Sequence, residues 1–457
     1  MLKKLFSPID MTEGSPWKGI ILFTLPMLLG NIAQQLYSTV DSIVVGKYIG
    51  DNALAAVGSA TPILNMLLVL FIGISAGASV MVAQYFGAKN RESLSYTIGN
   101  CITVTAIACI ALILVATPFI RPLLATLNTP ESIIDGCADY LIISLVGMAG
   151  MGYFNILSGI IRGMGDSFST LIYLLVATVI NIVLDIYFVA ELNMGVGGVA
   201  LATVIAQIIS SILCLIKLAK MRNNFDFKVK YMKLSKYFVK TIVSLGLPAG
   251  LTQAIFSSAM IIVQSLTNCF GEMFIAANVV IMRVDGFAMM PNFSFGTSLT
   301  TYAGQNVGAG LYDRVVKGAR QGTWIAVGCS AVITAVILLF GKNLMSVFTD
   351  TVELVELSYR LMKILAVGYI AFAITQSLSG IMRGAGDTMT PMWISLITTV
   401  AVRVPVAYGI SYLTRSAELP FGRSECIQIS LLLSWCLGAL LTVIFYGRGK
   451  WKTKAIQ

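Results

Sequence analysis

Long apolar runs alternate with short polar breaks along the whole chain. Runs of about 20 apolar residues or more carry a helix across the hydrocarbon core of a bilayer. They fall near 17–44, 52–85, 94–118, 137–161, 168–190, 196–217, 240–268, 274–304, 318–341, 355–382, 389–413 and 425–446. The pattern predicts an all-α integral membrane protein with twelve transmembrane helices.

The runs are written twice. LSGIIRGMGD at Leu157–Asp166 returns as LSGIMRGAGD at Leu378–Asp387, 221 residues later, identical at eight of ten positions. Gln84 and Gly87-Ala88 match Gln305 and Gly308-Ala309 at the same offset, and Leu25-Pro26 matches Leu247-Pro248 one residue further on. A repeat near 220 residues is too long for a solenoid unit and has the length of a six-helix membrane half. Six is even, so both halves start on the same side, and a pseudo-twofold axis along the membrane normal is expected. The expected organisation is an N-terminal six-helix lobe at 1–216, a basic linker at 217–239 and a C-terminal six-helix lobe at 240–457.

Composition agrees with this picture and narrows the function. Hydrophobic residues make up 57% and charged residues 11%, against roughly 25% charged for a soluble domain, which excludes a water-soluble enzyme. The net charge of +10 sits in loops between apolar runs, so it marks membrane topology rather than a nucleic-acid partner. With both termini inside, the inner segments hold 22 Lys and Arg and the outer loops five. That asymmetry predicts a multi-pass plasma (inner) membrane protein, N-in and C-in. The linker lysines are expected to lie against anionic lipid.

The chain has no histidine, which removes His-based metal sites, triads and proton relays. Its eight cysteines show no C-x-x-C spacing and read as small hydrophobes. The first apolar run is too long for a signal-peptide core and is expected to be retained as a span. No G-x-x-x-x-G-K-[ST] loop occurs, so transport must draw on an ion gradient or on the cargo's own gradient. No potassium-type filter appears, and GAKNRESL after the second run lacks the major-facilitator loop pattern.

An ionisable group at bilayer depth is costly and is a functional candidate by default. Asp41 and Asp185 each precede an outer-loop charge, Lys47 and Glu191, by six residues, which places both carboxylates ~9 Å inside the outer boundary. Asn181 lies one turn before Asp185, Tyr37 one turn before Asp41, and Thr203 reaches the same depth on the next helix. If these faces converge, they form a polar niche able to take up a proton or to hold Na⁺ on carboxylate, amide and hydroxyl oxygens. In the C-terminal half, Arg283, Asp285 and Arg403 enter the spans, and an Asp285–Arg403 pair between helices is expected. Arg162 and Arg383, in the two R-G-x-G-D loops, read as architectural, meeting carbonyls or lipid phosphates. Pro26 and Pro248 recur in both halves and mark a bend built into the unit.

Taken together, Leu25-Pro26, Val40-Asp41 with Val45-Gly46, Ala83-Gln84 with Gly87-Ala88, the paired R-G-x-G-D motifs and Gln305 with Gly308-Ala309 resemble the multidrug and toxic-compound extrusion (MATE) family over essentially the whole chain. The resemblance implies a twelve-helix, two-lobed antiporter. Such a carrier exports bulky, often cationic amphiphiles in exchange for H⁺ or Na⁺, with no other cofactor. In the branch resembling the DNA-damage-inducible type, the coupling cation sits in the N-terminal lobe, and Asp41, Asn181, Asp185 and Thr203 match those positions. Another branch carries acidic residues in the seventh and tenth helices, where this chain has Gln253, Gln264 and Gln376. That departure moves weight to the N-terminal lobe. The expected working unit is a monomer, with cargo in a Met- and aromatic-rich cleft touching Tyr37, Asn155, Phe256, Met260, Arg283, Asp285, Phe287 and Met290. A lipid-linked-substrate flippase of the same superfamily fold is the alternative. A receptor or channel is disfavoured by the absence of a soluble sensor domain.

Overall fold

The computed structural model describes residues 8–126 and 131–456, apart from the side chains at 38, 41–43, 46, 51, 52, 54, 55 and 132. Among the described residues all regular structure is helical. The first half runs α1 (Pro16–Tyr48), α2 (Asp51–Gly87), α3 (Arg91–Ala116), α4 (Ile120–Thr126), α5 (Glu131–Val146), α6 (Met148–Gly163), α7 (Ser167–Ile186) and α8 (Gly195–Lys220). The second runs α9 (Lys236–Asn268), α10 (Glu272–Gly308), α11 (Tyr312–Ser346), α12 (Val352–Ala366), α13 (Gly368–Gly384), α14 (Met389–Leu396), α15 (Val404–Leu413) and α16 (Cys426–Gly447). A π turn follows α7 at Tyr187–Glu191, and another joins α14 to α15 at Ile397–Arg403.

Among the described residues, ten stretches are long and apolar enough to span a bilayer. The pairs α5–α6 and α12–α13 bend by 49° and 44° at a short break, and counting each pair as one span gives twelve. The expected single runs 137–161 and 355–382 are therefore broken in the middle. The breaks fall beside glycines in close contact: a Cβ on Gly147 would lie 2.1 Å from Val204 Cγ2, and one on Gly368 would lie 2.6 Å from the Trp435 ring.

The chain forms two compact units. One takes in Leu25–Gly250 with the described residues before Met11, and the other takes in Met11–Thr24 with Leu251–Gln457. These limits differ from the expected 216/240 division. The linker and the start of α9 belong to the N-terminal unit, and the start of α1 belongs to the C-terminal one. Both dividing points lie beside the repeated prolines, Pro26 and Pro248.

The repeated R-G-x-G-D motif can be decoded atom by atom. Gly159 and Gly163 are four apart on α6, so they share a face, and a Cβ on Gly163 would stand 2.8 Å from the Ser79 carbonyl of α2. In the second unit, Cβ atoms on Gly380 and Gly384 of α13 would stand 2.4 and 2.2 Å from the carbonyls of Gly296 and Thr300 of α10. This is small-residue packing, which lets backbones approach where lipid gives no hydrophobic drive. The second glycine of each motif takes a left-handed conformation, φ 93° at Gly165 and 97° at Gly386, which a side chain would resist. Each aspartate then caps the next helix. Asp166 accepts from the Ser169 N–H at 2.9 Å, and Asp387 from the Thr390 N–H at 3.2 Å. Asp166 also pairs with Lys217 of α8 at 2.7 Å, with both side chains buried.

The basic linker is docked rather than loose. Arg91 donates to Asp226 at 2.7 Å and to the carbonyls of Arg222 and Phe225. Asn100 accepts the Ser235 N–H, and Tyr231 packs edge-on against Tyr96. Lys228, Lys230 and Lys233 remain exposed along its outer side.

Candidate functional site

In the N-terminal unit, α7 carries Asn181 and Asp185 one turn apart on its inner face, both 0% exposed. The neighbouring helix α8 presents Thr203, also buried, and α1 presents Tyr37. Tyr37 and Thr203 hydroxyls lie 3.1 Å apart. The hydrogen-bond network assigns the Asn181 amide with its nitrogen toward Asp185 Oδ2 at 2.9 Å and its oxygen toward Thr203 Oγ1 at 3.2 Å and the Thr203 N–H at 3.3 Å. The opposite orientation would set two oxygens against each other.

These contacts fix a direction. Thr203 has one proton and gives it to Asn181, so it accepts from Tyr37. Tyr37 donates to Thr203, Thr203 to Asn181, and Asn181 to the Asp185 carboxylate. The sequence expected five polar groups in one layer, and four of them are joined here. Asp41, the fifth, belongs to α1, but its side chain lies outside the described residues.

The outer end of this relay opens on a cavity of about 340 Å³. Tyr37 and Thr203 line it together with Pro26, Asn65, Asn155 and Arg162, whereas Asp185 sits behind them. Thus Asn155 does face a cavity, inside the N-terminal unit. Arg162, read from sequence as architectural, lines the same cavity.

The C-terminal unit has a smaller cavity of about 170 Å³, walled by Phe256, Gln253, Gln376, Arg383, Arg403 and Trp435. Gln376 occupies the place in the repeat that Asn155 holds in the first half, and Arg383 that of Arg162. Sequence reading missed both arginines as cavity residues; the available signal was a charge recurring at one place in two otherwise apolar helices. Gln264 is exposed and pairs with Asn268. The expected Asp285–Arg403 ion pair does not form. Asp285 instead accepts the Tyr369 hydroxyl at 2.7 Å, and the Asp285 and Arg403 charges stay more than 4.0 Å apart. Arg283 is exposed, Met290 is packed in the core, and Met260 lines neither cavity. Phe287 borders a separate apolar recess with Val332 and Phe348.

Comparison with known proteins places this architecture. The family model described as MatE matches residues 26–187 and again 248–409, once in each half. The chain is 31% identical over 454 residues to the probable multidrug resistance protein YoeA of Bacillus subtilis (strain 168), covering 97% of this chain and 96% of that one. It is 22% identical over 445 residues to the multidrug export protein MepA of Staphylococcus haemolyticus, covering 94% and 96%. A crystal structure of MATE in the bent conformation shares its fold, with a TM-score of 0.90 at 22% identity over 97% of this chain and 98% of that one. The chain belongs to the multidrug and toxic-compound extrusion (MATE) family, and it is a multi-pass membrane transporter for multidrug efflux rather than an enzyme.

Proposed function

We propose that this transporter exports amphiphilic, often cationic compounds in exchange for H⁺ or Na⁺ by alternating access, as a monomer in the plasma membrane with both termini inside. The carrying observation is the one-way relay from the 340 Å³ cavity through Tyr37, Thr203 and Asn181 to buried Asp185. It supports a coupling site in the N-terminal unit because a carboxylate without water needs donors or a cation to stay ionised. Asp41, one turn beyond Tyr37 on α1, is the second carboxylate of this reading. Uptake of a proton by the pair releases the donor geometry. Uptake of Na⁺ instead requires Asn181 to turn its oxygen inward, since a hard cation takes oxygen ligands.

Pro26 lines the same cavity and lacks the N–H that would tie α1 to the preceding turn. Loading the site is read as shifting α1 at that proline and expelling cargo, and the emptied carrier then returns the ion inward. Among the cargo candidates, Tyr37 and Asn155 have the best support, because both line the cavity.

The test is dye efflux from proteoliposomes under an imposed pH gradient and, separately, an imposed Na⁺ gradient. The reading expects one gradient to drive efflux in the native protein and neither to do so in Asp185→Asn. Normal exchange by Asp41→Asn/Asp185→Asn vesicles would overturn it. Efflux that follows only the cargo's own gradient would favour a uniporter.

A further inference from the structure

The cavity of the C-terminal unit contains two guanidinium groups and, among its described lining residues, no carboxylate. Arg403 is 7% exposed, and its Nε and Nη1 have no hydrogen-bond partner. The Arg383 guanidinium enters no hydrogen bond or ion pair among the described residues. Asp285 lies near enough to act on Arg403 through space, but it accepts the Tyr369 hydroxyl, makes no ion pair with Arg403 and is not part of the cavity wall, so it leaves the open donors of Arg403 unfilled.

A guanidinium cannot shed its proton under ordinary conditions, so burial does not neutralise it as it would a lysine. A buried cation with open donors calls for an anion. The planar fork of arginine matches the two oxygens of a carboxylate or phosphate. Arg403 also ends the π turn Ile397–Arg403, two residues before Pro405, whose ring cannot donate to the preceding turn. Wide turns of this kind recur at functional sites in helices. Under the 221-residue offset, position 403 corresponds to Ile182, next to Asn181 of the relay. The two halves thus carry opposite chemistry at one place in the repeat, a carboxylate relay in the first and bare guanidinium in the second.

We propose that the cavity of the C-terminal unit is an oxyanion site, in which Arg403 grips a carboxylate or phosphate group with Arg383 as the second cation. Its volume, about 170 Å³, takes one such group with a few waters. The group comes either from a free or cargo-borne anion or from the phosphate of an acidic lipid headgroup. The site stands independently of the coupling assignment at Asp185.

The test uses the full-length protein in two arms. In neutral detergent, inorganic phosphate and succinate are titrated against chloride at matched ionic strength. In phosphatidylcholine nanodiscs, phosphatidylglycerol is added in steps. The readouts are the unfolding midpoint and tryptophan emission, since Trp435 is in the cavity wall. A saturable rise of the midpoint with an emission change is expected in at least one arm, and the responding arm identifies the source. Arg403→Gln should weaken that response at least tenfold. Without anion it should unfold no earlier than the native protein, because it has lost a buried cation with two unsatisfied donors. Equal responses of native protein and Arg403→Gln in both arms would overturn the site. So would a loss of stability in Arg403→Gln that is the same with and without anion. Should that variant fail to accumulate, Arg383→Gln decides: a weakened response upholds the site, and an unchanged one overturns it.

Discussion

At the scale of single residues, the relay concentrates function on few atoms. Asp185→Asn keeps the shape of a fully buried side chain and removes its charge. Ion-driven efflux is expected to fall to background, while the protein still reaches the membrane and elutes as a folded species. Thr203→Val removes the middle of the relay: the Asn181 oxygen keeps only the backbone N–H of position 203 as donor, and the Tyr37 hydroxyl loses its contact with the Thr203 hydroxyl. A buried hydrogen bond contributes about 0.5–1.5 kcal/mol net, so the coupling-ion concentration for half-maximal efflux should rise about two- to tenfold. An unchanged ion dependence in Thr203→Val would remove Thr203 from the pathway.

At the scale of elements, the motif glycines set how closely helices approach. Gly384→Ala would push a Cβ to 2.2 Å from the Thr300 carbonyl, a backbone atom that cannot swing aside. Overpacking of this kind costs about 1–3 kcal/mol or more, so the unfolding midpoint in detergent should drop. Gly328→Ala, on α11 with open space at its Cβ, should not lower it. The linker clamp adds a pH dependence. The Arg91 hydrogen bond holds the Asp226 carboxyl below its ordinary range. The folded state therefore favours the ionised form, and the clamp is in place at neutral pH and released as pH falls through that depressed value. Proteolytic nicking of the linker should accelerate on acidification, and Arg91→Ala should show the faster rate already at neutral pH.

At the scale of the whole molecule, the prolines connect folding to transport. A proline inside a helix costs about 3 kcal/mol relative to alanine, and Pro26 sits in α1 beside the point where the two compact units divide. Pro26→Ala should raise the unfolding midpoint while lowering efflux. A variant that gains stability and transports normally would show that the proline serves packing only. Sidedness is checked by protease protection of terminal tags in right-side-out and inverted vesicles, with both tags expected to be cut from the inner side.

The sequence alone settled what depends on composition and order. Helix, membrane and duplication were legible because lipid demands that backbone groups be satisfied within a helix and because the motifs of the first half return in the second at a nearly constant offset. The four polar groups of the relay were legible too, since helical spacing fixes which residues share a face and depth. The fate of the charges in the C-terminal half was not. Nothing local to Asp285 or Arg403 says that one turns to Tyr369 while the other lines a cavity with open donors, because that choice belongs to the packing of three different helical segments. The same holds for Arg162 and Arg383. Their place in a glycine-rich turn suggested scaffolding, and only the close approach of neighbouring helices, which the glycines permit, directs them into the interior.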